Sequence, residues 1–233
     1  MDVVDAAVRG ASAAGGQLLR GVLRTVDAAR QAGKPLHPRG AVTRGVLERH
    51  GSVRRSGVAW LDEPGRHDVI ARWSRSVGLP GPVPDVLGLA VRVVLDDERA
   101  ADVLFSTTGT GPLTRFALLP RRSFERPMTT LLPYRTDHGP VVLAAEASDA
   151  RTVDLAWARS TGAWQPFATL LLDDAPEQAD DAAVSFDPVL NQLPGLETYD
   201  WVRRLREPSY RSARRARGAG HLDDGTDDGL TGS

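Results

Sequence analysis

From about Pro38 the apolar and polar positions fall into short β-rich runs, some alternating and some continuously apolar. The runs are A-V-T-R-G-V-L-E (41–48), D-V-I-A-R-W-S (68–74), L-A-V-R-V-V-L (89–95), T-R-F-A-L-L-P (114–120), P-V-V-L-A-A-E (140–146), T-V-D-L-A-W-A-R (152–159) and Q-P-F-A-T-L-L-L (165–172). Each is bounded by Gly, Pro or charged turn residues, and a period of two puts one face on a core. Seven such strands at short spacing predict an antiparallel sandwich or barrel rather than a βαβ fold. Closure into a barrel would also remove unpaired edges. S-T-G-A (160–163) reads as the hairpin turn between the last two runs.

The pattern differs at both ends. Between residues 3 and 31, Val4, Ala7, Val8, Leu18, Leu19, Val22, Leu23 and Val26 recur at helical spacing, broken at Gly15-Gly16. They predict an N-terminal helical arm over 1–33. Y-D-W-V-R-R-L-R (199–206) predicts a short helix, and Pro208 forces a second to begin near it, with Tyr210 in its first turn. The mainly β domain is thus expected over 34–217. The polar, glycine-rich stretch 218–233 is expected to be a disordered tail.

Composition narrows the chemistry. The 41% hydrophobic and 25% charged residues are ordinary for a soluble globular protein, and a net charge of −1 favours neither nucleic acid nor membrane. The absence of cysteine excludes disulfides, thiolate-bound zinc or haem, and cysteine nucleophiles. No apolar run approaches the ~20 residues of a membrane span. The opening residues lack a basic segment followed by an apolar one, so the expected location is the cytoplasm. No nucleic acid and no membrane are expected as partners, and a homo-oligomer is left open. Seven arginines lie between Arg203 and Arg217, but the near-zero net charge and the lack of interleaved exposed aromatics make a nucleic-acid module the least favoured reading.

Four stretches, in this order, resemble the haem catalase superfamily. L-H-P-R-G-A-V-T-R-G resembles the segment around the family's distal histidine and puts His37 in that role. A-R-W-S-R-S-V-G followed by D-V-L-G-L-A-V-R matches Arg72 to a haem-propionate arginine and Ser74 to the serine that hydrogen-bonds the distal histidine. V-S-F-D-P-V-L-N-Q-L-P-G-L-E resembles the family's wrapping segment, and R-E-P-S-Y resembles the stretch that supplies the proximal tyrosinate, Tyr210, with Arg206 as its partner. The resemblance implies haem b and a catalase-like antiparallel β-barrel with an N-terminal helical arm and C-terminal helices, an α+β fold that is mainly β. The chain departs from the family in being much shorter. It has Lys34 where the family has an arginine, Ser106 in place of the distal asparagine, and Phe116 as the nearest match to the phenylalanine that stacks on haem.

These residue types suit peroxide chemistry. Tyrosine binds iron as phenolate although its free pKa is ~10, so a ferric ion and a neighbouring guanidinium must favour the anion. Arg206, four residues before Tyr210, is placed for that. A histidine such as His37 can take a proton from a peroxide and return it to the leaving oxygen. Arg72, with Arg39 or Arg214 as alternatives, can pair with propionates. His50, His67 and His138 sit in polar loop contexts, and no pair has metal-ligand spacing. Trp60 and Trp73 read as core.

The expected function is therefore a haem-dependent peroxidase that reduces hydrogen peroxide or organic hydroperoxides with a small-molecule electron donor, and dismutates weakly. The alternatives are a haem-dependent hydroperoxide isomerase or dehydratase, and a non-catalytic catalase-like haem-binding protein.

Overall fold

The computed structural model describes residues 40–76, 83–175, 184 and 186–203. The expected N-terminal arm, His37, Arg206, Tyr210 and the tail lie outside them. Among the described residues, ten strands form one antiparallel sheet: β1 (Gly40–Arg49), β2 (Gly65–Arg75), β3 (Leu87–Val94), β4 (Ala100–Thr107), β5 (Met128–Thr129), β6 (Tyr134–Arg135), β7 (Val141–Ala147), β8 (Thr152–Arg159), β9 (Gln165–Leu172) and β10 (Glu197–Thr198). Their order is β10-β6-β7-β5-β4-β3-β2-β1-β9-β8, and β7 also pairs with β8. Eight strands therefore close into a barrel, with β6 and β10 as a short flap on β7. A helix of four residues, Ala59–Asp62, lies in the β1–β2 connection. No described helix is long and apolar enough to cross a membrane.

The alternation read from the sequence is the alternation of the wall. On β2, Val69, Ala71 and Trp73 are buried in the barrel core with Leu89, Val91 and Val93 of β3 and Ala101, Val103 and Phe105 of β4. Leu143, Leu155, Trp157, Phe167 and Leu170 fill the far side. Trp60 and Trp73 are both buried in this core, as expected, and Trp73 meets Phe124 edge to face at 5.0 Å.

Two elements differ from the sequence reading. Residues 114–120 are not a strand: Thr114–Phe116 form a single 3-10 turn, and only Leu118 makes an isolated bridge, to Thr108. The reason is Arg115, which is buried and so cannot alternate outward. Its guanidinium donates to the carbonyls of Gly111 (3.1 Å), Thr110 (3.2 Å), Arg159 (3.2 Å) and Gly162 (3.0 Å), and it stacks 4.3 Å from the Trp164 ring. Burial lowers the Arg115 pKa from its usual value. The barrel strands missing from the reading are β4 and the two-residue β5, and the S-T-G-A turn falls in the β8–β9 hairpin as expected.

Candidate functional site

Register, rather than sequence proximity, gathers the candidate residues. Ser74 pairs with Gly40 on one side and with Gly88 on the other. Gly88 pairs in turn with Ser106, and Ser106 with Thr129. One cross-strand row, Gly40–Ser74–Gly88–Ser106–Thr129, therefore runs over β1 to β5. Its residues alternate with the core residues Trp73, Leu89 and Phe105, so the row lies on the outer face of the barrel. Two residues along, Val42, Arg72, Ala90 and Leu104 form the next row of the same face. Arg72 and Ser74, expected from one motif, and Ser106, expected in place of an asparagine, thus share one wall.

That wall is low. Gly40, Gly88 and Ala90 contribute almost no side chain between Ser74, Ser106 and Arg72. The bareness of Gly40 is required: a Cβ there would stand 2.6 Å from Arg72 Cζ and 2.7 Å from the Trp73 carbonyl oxygen. The guanidinium of Arg72 therefore lies across the start of β1, three residues after His37 in the chain. Ser74 is only 8% exposed, and neither its hydroxyl nor that of Ser106 has a hydrogen-bond partner among the described residues.

Phe116 stands at the border of this face. It follows Arg115, whose carbonyl accepts a hydrogen bond from Thr129 Oγ1 at 2.6 Å, and Thr129 is the cross-strand neighbour of Ser106. The Thr108 hydroxyl donates to Thr129 Oγ1 at 3.1 Å, closing the polar end of the row. Leu131, two residues on, has a positive φ of 61°, a strained conformation for leucine held by its N–H donating to Thr129 Oγ1 at 3.1 Å.

A second feature of this face is absent from the sequence reading. Asp102 lies on β4 four residues before Ser106, hence on the same outer side, yet it is 1% exposed. Arg92 of β3 grips it with two hydrogen bonds of 2.7 Å. The N–H of Asp187 and the amide of Asn191 add two more to Oδ2, each 2.7 Å, and Asp102 N–H donates back to the Asn191 carbonyl at 2.9 Å. The F-D-P-V-L-N-Q segment is thus fastened to the barrel wall through one carboxylate. The bond from Asp102 raises the Arg92 pKa above its usual value. The signal in the sequence was the alternation A-D-V-L-F-S, which puts an aspartate outward on a strand that something must cover.

At the opposite rim, His67 is buried against Trp60, with ring centroids 4.8 Å apart, and its Nε2 accepts from Arg49 Nη2 at 3.2 Å. Arg49 also donates to the carbonyls of Trp60 and Glu63, and burial outweighs nearby Asp96 and Glu63 to lower its pKa. This pair ties the Ala59–Asp62 helix to the barrel. Among the described residues, no three His, Asp or Glu side chains converge as metal ligands. Neither a protein-family model nor a curated protein sequence matches the chain.

Proposed function

We propose that the chain is a haem-dependent peroxidase built on a catalase-like barrel, and that it reduces hydrogen peroxide or organic hydroperoxides with an external electron donor. The observation that carries this reading is the row Ser74–Gly88–Ser106 with Arg72 beside it. Arg72 and Ser74, from one motif, and Ser106, at the position of the family's distal asparagine, fall on one wall of a closed antiparallel barrel, with glycine between the two serines.

The residues suit the group. A flat macrocycle packs best on a wall without protruding side chains, as Gly40, Gly88 and Ala90 provide. Ser74, whose hydroxyl has no hydrogen-bond partner among the described residues, suits a serine that bonds an imidazole, the role the resemblance gives to His37. Arg72 would pair with a propionate, while Tyr210 would supply the phenolate ligand and Arg206 stabilise its charge. The chemistry that a bound haem supplies is reductive cleavage of the peroxide O–O bond at iron. In that reading His37 takes the proton of the bound peroxide and returns it to the departing oxygen. Ser74 fixes the imidazole tautomer, and Ser106 donates one hydrogen bond to the peroxide.

The test is reconstitution of the full chain with haem. The expected result is one haem per chain with a ferric high-spin spectrum, lost or strongly altered in Tyr210→Phe. Oxidation of a chromogenic donor should depend on peroxide, and His37→Ala should keep the haem while slowing that reaction by about 10²-fold or more. A wild-type protein that takes up no haem would overturn the reading. Haem uptake without turnover would leave a binding protein.

A further inference from the structure

We propose that the rim carrying the β1–β2 connection is a self-association surface, through which two copies of this chain meet about a two-fold axis. The rim has two prominent parts. Register places both at the same end of the barrel: Arg49 of β1 pairs with Gly65 of β2, Val69 of β2 with Val93 of β3, and Val94 of β3 with Ala100 of β4. The β1–β2 connection and the β3–β4 turn therefore leave the barrel on the same side.

The first part is the loop 52–57, S-V-R-R-S-G. Val53 at its tip is fully exposed, with a relative accessibility of 104%, and Arg54 and Arg55 beside it are exposed. Neither arginine makes an ion pair among the described residues. The loop is nevertheless held firmly. The Asp62 carboxylate accepts from Ser56 N–H and Gly57 N–H, both at 2.8 Å, and from the Ser52 hydroxyl at 3.0 Å. Arg159 Nη2 donates to the Ser56 carbonyl at 2.8 Å. A tip fixed in advance loses little entropy when it is covered, and arginine is among the residues that most often carry binding energy at an interface.

The second part is the turn Asp96-Asp97-Glu98-Arg99. Three carboxylates against one guanidinium leave it with a net charge of −2, opposite to the two cations of the loop. It too is fixed, by Leu95 N–H donating to the Arg99 carbonyl and Glu98 N–H to the Leu95 carbonyl, each at 2.9 Å, with Glu98 at a φ of 63°. The chain thus holds complementary charges on one rim without joining them to each other. A two-fold axis between the loop and the turn brings the loop of each copy onto the turn of the other, and both contacts form at once because such an interface is self-complementary.

Sedimentation of the full chain tests this without reference to haem. The wild type should run as a dimer in about 0.1 M salt and as a monomer in about 1 M, where the screening length falls from ~10 Å to ~3 Å. Arg54→Glu with Arg55→Glu should make a monomer, and so should Asp97→Lys with Glu98→Lys; circular dichroism checks that each is folded. An equimolar mixture of the two double variants should dimerise again, because each loop then meets an opposite charge. A wild type that stays monomeric in low salt, a dimer indifferent to both reversals, or a mixture that fails to recover would each overturn the proposal.

Discussion

Ser74 and Ser106 face each other across Gly88, each its direct cross-strand partner. Two strand spacings separate their backbones by about 10 Å, so a peroxide held by one is out of reach of the other. The proposed division of labour, Ser74 on the imidazole and Ser106 on the peroxide, follows from that gap. Serine offers one donor proton where asparagine offers two, on a shorter side chain. Ser106→Asn should therefore raise oxygen evolution relative to donor oxidation in the haem-loaded protein. An unchanged ratio would remove Ser106 from the partition.

Removing the Asp102 carboxylate should release the 186–191 segment and take from Arg92 its two 2.7 Å hydrogen bonds. Asp102→Ala is expected to destabilise the fold by about 3–5 kcal/mol, the usual cost of breaking a buried pair. Urea denaturation measures this. A loss within experimental error would mean that the segment is held by other contacts.

Gly40→Val should crowd both Arg72 and the Trp73 carbonyl. The carbonyl is backbone and cannot swing away, so overpacking of about 1–3 kcal/mol is expected. If Arg72 anchors a propionate, haem affinity should fall by more than the stability loss alone explains. Comparing Gly40→Val with Arg72→Met in a haem titration separates the two effects.

Arg115→Met should cut the tie between the 109–116 loop and the β8–β9 hairpin. Four carbonyls lose a charged donor, and about 3 kcal/mol of destabilisation is expected. Amide exchange in residues 109–116 should accelerate ahead of the barrel strands.

The Asp62 carboxylate gives a pH dependence of known sign. Burial would raise its pKa, but the hydrogen bonds from Ser56, Gly57 and Ser52 outweigh it, and the net value lies below the ordinary one. A folded-state pKa below the unfolded value contributes stability that is present above the unfolded pKa, near 4, and lost as pH falls through the folded one. Asp62→Asn should therefore flatten the acid limb of the stability curve while leaving its slope above neutral pH unchanged. A limb of equal steepness in the variant would refute the assignment.

Six of the seven predicted strands are present because each is a run of β-forming apolar residues bounded by turns; β7, with Val141–Ala145 all buried, does so without alternating. The seventh, T-R-F-A-L-L-P, carried the same letters, yet the buried Arg115 finds four backbone carbonyls and turns the chain into a 3-10 coil. β4 went unread although Ala101, Val103 and Phe105 alternate with Asp102 and Ser106, because an aspartate and a serine on the other side look like solvent positions. β5, β6 and β10 span two residues each, too few for any periodicity. Of the candidate site, Arg72, Ser74 and Ser106 could be named from motifs, but their common face depends on register across β2, β3 and β4. Gly40's contact with Arg72 depends on the same register, which no local pattern encodes.

Closure of the barrel also dictates an order of events. β1 finds one neighbour, β2, within a few tens of residues, but its other neighbour is β9, where Gly45–Arg49 meet Ala168–Leu172. During synthesis the first strand must wait with one edge open until more than a hundred further residues have been made. Such long-range pairing slows folding and exposes the waiting edge to other chains. Arg44 and Glu48, pointing outward from that edge, give it charge of both signs while it waits.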